Sequence, residues 1–509
     1  MHSKNNTMYQ LNDTRIATAG GPETPPYATK KTNTNEQLLG RSLMGMIWGI
    51  FFLSVLGLVY TLTFHNSQGW DLFRLIRINP FTLMMWSGIT FFSGLVHRYA
   101  LKYMTGFRYY TSFMLKCSAF TFSVMLFVAS QNIVLMGISW MLMGGIMSRL
   151  IGSVKHWEEG KQASILSLKY FSGSSILLAL GLLLLWEETR TTYLPDLLAL
   201  AEQDLSLLTL GATTLIVIAG LIQSALFPFH KWLISAMTAP TPSSALMHAG
   251  FVNAAGILFT LFAPLIVKAG FLPFLFMFGA IGAILAQFWK LIQSSVKQKL
   301  ACSTVAQMSF MVAQCGLGFF NAAIAHLLLH GCYKAYLFFS AGSEIERTQP
   351  FDKKPIVFRW LHLPVLLLSG IIGGVLFALI TGKGTALDSG LFLTFIVALT
   401  VTQTTQYILN EKNVNFTYKL IALPVLVIPA IILYALMYNG VTTLMGDMPL
   451  VNQPVALELQ HYLIAGVYLL GFLSMQFRWY LHFPRLYVLF LNMSQPASLT
   501  VTAFKKSRS

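Results

Sequence analysis

The chain has 509 residues, of which 55% are hydrophobic and 10% charged, with a net charge of +16 and a mean hydropathy of +0.64. An ordinary soluble domain is about 25% charged, so a water-soluble globular enzyme is excluded, and apolar runs of about twenty residues exclude a barrel of short alternating strands. The basic residues lie mostly between the apolar runs, where orientation signals belong, which points to a lipid bilayer as partner and sets nucleic acid aside.

In chain order, residues 1–41 are polar and rich in Asn, Thr, Gly and Pro, and read as a flexible tail. The first apolar run begins near Leu43 with no small-residue cleavage site after it, so no secretory signal peptide is expected. Apolar spans follow at 42–64, 79–98, 110–129, 131–150, 165–186, 206–236, 243–267, 271–292, 300–320, 322–343, 361–382, 389–408, 420–438 and 460–477. The fold class expected is all-α, a polytopic membrane protein of about fourteen transmembrane helices. A transmembrane core occupies 42–345, and further helices with a short basic tail occupy 346–509.

Charge placement gives a sidedness. With the tail cytoplasmic, loops on that side hold Arg98, Lys102, Arg149, Lys161, Lys290, Lys297, Lys299 and Lys419, and Arg478 and Arg485 follow the last span. The opposite loops carry Glu187, Glu188, Asp196, Glu202, Asp204, Asp447 and Glu458. This asymmetry satisfies the positive-inside rule with both termini cytoplasmic.

Residues 228–250 interrupt membrane-grade sequence with Pro228, Pro240 and Pro242, together with His230, Lys231 and His248. A proline removes a backbone donor, and the freed carbonyl must find a partner inside the protein. A proline-broken helix is therefore expected here, a feature of ion and substrate paths. The tenth span carries His326, His330 and Lys334 at i, i+4 and i+8, on one helical face and rising about 6 Å per step. Groups so spaced can pass protons through intervening water, and burial pushes a lysine toward its neutral form. The plainer alternative is a structural stripe, with imidazoles bonded to neighbouring helices and a snorkelling lysine. Taken alone, His248 reads as a helix–helix contact, His230 and Lys231 as interfacial anchors or functional groups, and Lys297 as a topology charge. Cys117, Cys302, Cys315 and Cys332 form no CxxC pair and read as reduced core residues. No nucleotide, zinc or nucleophile motif is visible, so no catalytic residue, metal ligand or cofactor site is expected in this chain.

The stretch Pro228-x-His-x-Trp-Leu-x-x-Ala-Met-x-x-Pro240-Thr-Pro242-x-Ser-Ala-Leu-x-His248 resembles the signature of the antiporter-like subunits of NADH–quinone oxidoreductase and Mrp antiporters. Lys297-x-x-Leu-Ala-x-Ser-Thr-x-x-Gln307 and His326-x-x-x-His330-x-x-x-Lys334-Ala resemble further pieces of it, and the likeness covers roughly residues 80–345. The resemblance implies an antiporter-like fold and a hydrophilic axis of cation-relay residues, carried over to His248, Lys297, His326, His330 and Lys334. Two positions depart. The family's Trp-Glu pair falls on Trp140-Met141, and its broken-helix lysine falls on Gln223. Its second broken-helix lysine has no clear counterpart, Lys383 being a loop candidate.

A narrower likeness fits those departures. Met237 to Ala254, Gln314-Cys-Gly-Leu-Gly318 and His330-Gly-Cys-Tyr-Lys334-Ala resemble the DabB family, the membrane subunits of inorganic carbon transporters. That resemblance implies a multi-pass subunit of the cell inner membrane that conducts a cation, H⁺ or Na⁺, to drive CO₂ hydration to bicarbonate. The partner implied is a large peripheral carbonic-anhydrase-like subunit that holds the zinc. The alternatives are a proton-translocating subunit of NADH–quinone oxidoreductase or of a multi-subunit cation/proton antiporter, and a non-conducting anchor.

Overall fold

The computed structural model describes residues 34–64, 69–154, 156–347, 362–411 and 414–501, the side chains of 342–347 excepted. The tail expected to be flexible lies outside the described residues up to residue 33. Its last part does not behave as expected, because helix α1 begins at Thr34 and runs to Thr63.

The first half continues with α2 (Pro80–Tyr103), α3 (Tyr110–Ala129), α4 (Ile133–Ile151), α5 (Glu158–Thr189), the short α6 (Leu194–Leu198) and α7 (Leu207–Gln223). After α7 come three short pieces, α8 (Lys231–Ser235), α9 (Thr241–Ala249) and α10 (Ala254–Leu261), and then α11 (Ala263–Lys268). The second half comprises α12 (Leu272–Ile292), α13 (Val296–Gly316), α14 (Phe320–Arg347), α15 (Leu363–Thr381), α16 (Ser389–Asn410), α17 (Phe416–Leu444), α18 (Leu459–Phe477) and α19 (Pro484–Met493). Several starts are written locally. Asn79 accepts from the Thr82 amide at 2.9 Å ahead of Pro80, Asn132 caps α4, and Ser206 caps α7. Each side-chain oxygen satisfies an amide that has no intrahelical partner.

The described residues are mostly helical, with one exception to the all-α expectation. A two-stranded antiparallel hairpin, β1 (Trp70–Leu72) with β2 (Ile76–Ile78), pairs Trp70 with Ile78. Phe73 and Arg74 turn it, both with φ of 56°. Neither is the Gly or Asn that usually announces such a turn, so the hairpin left no signal in the sequence.

Among the described residues, ten helices are long and apolar enough to cross a membrane, or eleven if the pair Leu194–Glu202 and Leu207–Gln223, bent by 119°, is one span. Each apolar run read from the sequence is helical for most of its length, but the count is lower than about fourteen. The reason is composition and length. Helix α7 has only 17 residues, α13 opens with Lys297 and Lys299, and α2 carries His97 and Arg98.

Burial separates centre from rim. The stretch Thr241–Leu261 is 94% buried, whereas Thr34–Thr63 is 11% buried and Phe416–Leu444 is 22% buried. The proline-rich segment is thus the centre of the molecule, and α12, α13 and α14 enclose it with α2, α5 and α7. Cys117, Cys302 and Cys315 are buried as expected, but Cys332 is exposed on the outer side of α14 and is not a core residue.

Candidate functional site

Helix α7 stops at Gln223, and Ala225 adopts φ of 57°. The chain re-forms a helix only at Lys231, passes through a 3-10 turn over Ala236–Thr238, and turns again at Pro240 before α9. Pro240 has no amide hydrogen, and the carbonyl ahead of it, that of Ala239, accepts from Lys297 Nζ at 3.2 Å. Lys297 therefore ties the first turn of α13 to the break and does not join the row on α14.

The row itself is buried. Lys334 is 0% exposed and His330 5% exposed, and His326 is half-buried. The His326 and His330 rings lie 5.9 Å apart with 24° between their planes. Lys334 Nζ donates to the Leu300 carbonyl at 2.9 Å. The same carbonyl accepts from Thr304 Oγ1 at 2.9 Å, and Thr304 Oγ1 also meets His248 Nδ1 at 2.9 Å. A hydroxyl has one hydrogen, and Thr304 gives it to Leu300. His248 Nδ1 must then carry the hydrogen of its own bond, which leaves Nε2 as the unprotonated nitrogen. The His248 ring is locked further by Phe338, stacked at 4.6 Å.

Helix α13 is therefore the organising element. Its first turns present Lys297 to the break, the Leu300 carbonyl to Lys334 and Thr304 to His248. His248, fully buried on α9, is linked to Lys334 through Thr304 and the Leu300 carbonyl. It lies within electrostatic range of Lys334, and His330 within range of Lys334, His326 and His248. Lys290 on α12 also acts on Lys334.

Two features set this cluster apart from an ordinary helix contact. Among the described residues, no Asp or Glu is buried, so the Lys334 amine has no buried counter-ion. A charge placed there is costly unless water or a carbonyl solvates it. The Nε2 atoms of His248, His326 and His330 are buried without a protein partner, and buried polar nitrogens normally have one. By contrast His97, which the sequence reading passed over, is an ordinary structural histidine. Its Nδ1 meets the Ser93 carbonyl at 2.7 Å and its Nε2 meets Ser118 Oγ at 2.9 Å. His230 has one ring nitrogen bonded, while its Nδ1 is buried without a protein partner. It is buried, with Nε2 2.9 Å from the Met493 carbonyl and its ring stacked on Trp289, so it is not an interfacial anchor, whereas Lys231 is exposed.

The two positions where the resemblance lost its charges differ in burial. Gln223 is fully buried beside Gly144 of α4. Met141 is 56% exposed and faces out of the chain, while Trp140 points inward and donates to Ser174 Oγ at 3.1 Å. Lys383 sits in the loop before α16, over the Phe319 ring at 4.2 Å and bonded to Asn452 Oδ1 at 2.8 Å. Burial lowers its pKa, and Asp388 acts in the opposite direction. A small cavity bounded by Met85, Phe92, Asn253 and Leu328 lies off the row and adds no ionisable group. Among the described residues, no three His, Cys, Asp or Glu side chains converge as metal ligands would.

Helices enclosing a proline-interrupted centre, with a buried lysine–histidine row beside it, define an antiporter-like membrane subunit. The family model described as NADH:quinone oxidoreductase/Mrp antiporter, transmembrane, matches residues 130–410, more than half of the chain, and the chain belongs to that family. Within it, the chain is similar to the "Probable inorganic carbon transporter subunit DabB1" of Halothiobacillus neapolitanus, at 35% identity over 288 residues. That match covers 55% of this chain and spans about half, 51%, of the relative. It is also similar to the "Probable inorganic carbon transporter subunit DabB" of Hydrogenovibrio crunogenus, 28% identical over 82% of this chain and 80% of the relative. Among solved structures, the Mrp complex of Dietzia shares the fold with a TM-score of 0.54 at 20% identity, over 92% of this chain and 52% of that one.

Proposed function

We propose that this chain is the membrane subunit of an energy-coupled inorganic carbon uptake system. It conducts a cation, read as the proton, along Lys334, His330, His326 and His248, with Lys297 fixing the break beside them. The flux drives one-way hydration in a large peripheral carbonic-anhydrase-like partner that holds the zinc: CO₂ and water give bicarbonate and a proton. The chain itself has no catalytic site in this reading. It crosses the inner membrane about fourteen times with both ends cytoplasmic, in line with its basic loops, and the segment from α7 to α10 is a pair of spans broken at Pro228 and Pro240.

The observation that carries the reading is Lys334. It is fully buried, bonded to a carbonyl from α13 and close to two imidazoles, and among the described residues no Asp or Glu is buried. A purely anchoring subunit has no use for so costly a group. Similarity to proteins named as inorganic carbon transporter subunits supports the substrate. The absence of a carboxylate at Met141 and of a lysine at Gln223 weighs against a standard proton-pumping oxidoreductase or antiporter subunit, which uses such a pair to modulate lysine protonation.

The test is Lys334→Ala in cells that depend on bicarbonate uptake for growth at ambient CO₂. Uptake is expected to be lost while the complex still assembles and its co-purified partner still contains zinc. Wild-type uptake by an assembled Lys334→Ala complex would overturn the relay.

A further inference from the structure

A row inside the molecule needs a way to a face, and buried polar groups are found between the Phe310 ring, which packs on His326, and the loop bearing Lys383. Asn321, at the start of α14, is fully buried. Its Nδ2 donates to Tyr438 Oη at 3.2 Å and to Thr442 Oγ1 at 2.7 Å, both on α17. The Tyr438 hydroxyl faces Asn452 Oδ1 at 3.5 Å, and Lys383 Nζ reaches that same oxygen from the outer loop. Inward, Tyr434 lies one turn before Tyr438, and Gln314, fully buried on α13, has neither amide atom hydrogen-bonded to protein. One turn before Gln314, the Phe310 ring stands 5.6 Å from that of His326.

These groups come from α13, α14, α17 and two loops, and they run through an apolar cluster that includes Phe276, Leu317, Phe319 and Phe392. A structural clamp would need one or two such pairs. Six polar side chains in file through an apolar wall are a costly way to hold helices together. All but the terminal lysine are neutral. Amides and hydroxyls can order water by donating and accepting, and unlike a carboxylate they do not trap a passing proton. An amide nitrogen is not basic, so these residues act by positioning water and do not carry the proton themselves.

We propose that Gln314, Tyr434, Asn321, Tyr438 and Asn452 line a water-filled access route that joins the His326 end of the row to the face bearing Lys383, with Lys383 at its mouth. This rests on the relay reading of α14. The route is tested in the full chain, purified with its partners and reconstituted in liposomes, with the exposed Cys332 replaced by Ser. Cysteine is introduced at Asn321, at Tyr438 or, as an apolar neighbour, at Ala322. A membrane-impermeant thiosulfonate reagent is then added from each side.

Asn321→Cys and Tyr438→Cys are expected to react from the Lys383 side only, and Ala322→Cys from neither. Absence of reaction at both file positions, or equal reaction at Ala322→Cys, overturns the route. Should the cysteine variants fail to fold, Tyr438→Phe keeps the ring and removes only the hydroxyl. It is expected to slow potential-driven proton uptake by about fivefold, the factor for losing one hydrogen bond, and an unchanged rate overturns the route. Failure of the underlying reading looks different, because Lys334→Gln would then conduct as wild type whatever the labelling pattern.

Discussion

The Leu300 carbonyl is where the buried amine and the imidazoles meet, since it accepts from both Lys334 and Thr304 while Thr304 holds His248. Thr304→Val keeps the shape and removes the oxygen, which strands the His248 Nδ1–H in a dry site. That costs about 1–3 kcal/mol and releases the tautomer, so bicarbonate uptake is expected to fall while Thr304→Ser retains it. Uptake assays on the two variants, with thermal unfolding of the purified complex, check this. Spacing alone marked His326, His330 and Lys334, because ionisable residues stand out in apolar sequence. Asn321 did not stand out, and Thr304 did so only as one member of a family-like segment. Small neutral polar residues are common in membrane helices, and only a neighbour brought up by the fold shows which of them matter. His97 makes the converse point, since its bonds to Ser93 and Ser118 explain it without any functional role.

At the level of elements, the position of α13 depends on how closely it can approach α12. A Cβ on Gly279 would lie 2.5 Å from the Ser309 carbonyl oxygen and the Ala313 nitrogen, and one on Gly316 would collide with the Phe276 backbone. Backbone atoms cannot swing aside as a side chain does. Gly279→Ala is therefore expected to force the helices apart at a cost of about 1–3 kcal/mol. It should lower the unfolding temperature in detergent and also weaken uptake, because Leu300 and Thr304 ride on α13; an unchanged melting curve would contradict this packing account. Pro228, Pro240 and Pro242 raised the expectation of a broken helix, and the chain between Gln223 and Thr241 holds only the short α8 and a 3-10 turn. The hairpin at Trp70–Ile78 was not legible, because Phe73 and Arg74 carry no turn signal. The early start of α1 at Thr34 was equally hidden, since polar residues can extend a helix beyond the apolar run that announces it.

Across the whole molecule, the segment after α18 returns to the centre. Besides the His230–Met493 bond, Gln293 Nε2 reaches Ser494 Oγ at 2.6 Å. Ser235 Oγ accepts from the Ala497 amide at 3.0 Å and meets Thr500 Oγ1 at 3.1 Å. The chain's last described turn is thereby strapped across both helix breaks, the one before α9 and the one between α12 and α13. Ser235→Ala removes the acceptor of a backbone amide, at about 1–3 kcal/mol. The expected result is faster proteolytic clipping after residue 484 with the remaining helices intact, measured by limited proteolysis; clipping at the wild-type rate would show that the strap is held elsewhere.

Hydropathy was enough to determine a multi-pass helical membrane protein, because lipid forces long apolar helices and makes each exception visible. The sequence also determined which ionisable residues share the face of α14, since helical periodicity is local. Tertiary structure alone decided that Lys297 bonds the Ala239 carbonyl and that His248 meets Lys334 through Thr304 and the Leu300 carbonyl. It likewise decided that α19 and the turn after it close over the centre. Those are contacts between residues tens to hundreds of positions apart, set by how helices pack, and no local period in the sequence encodes them.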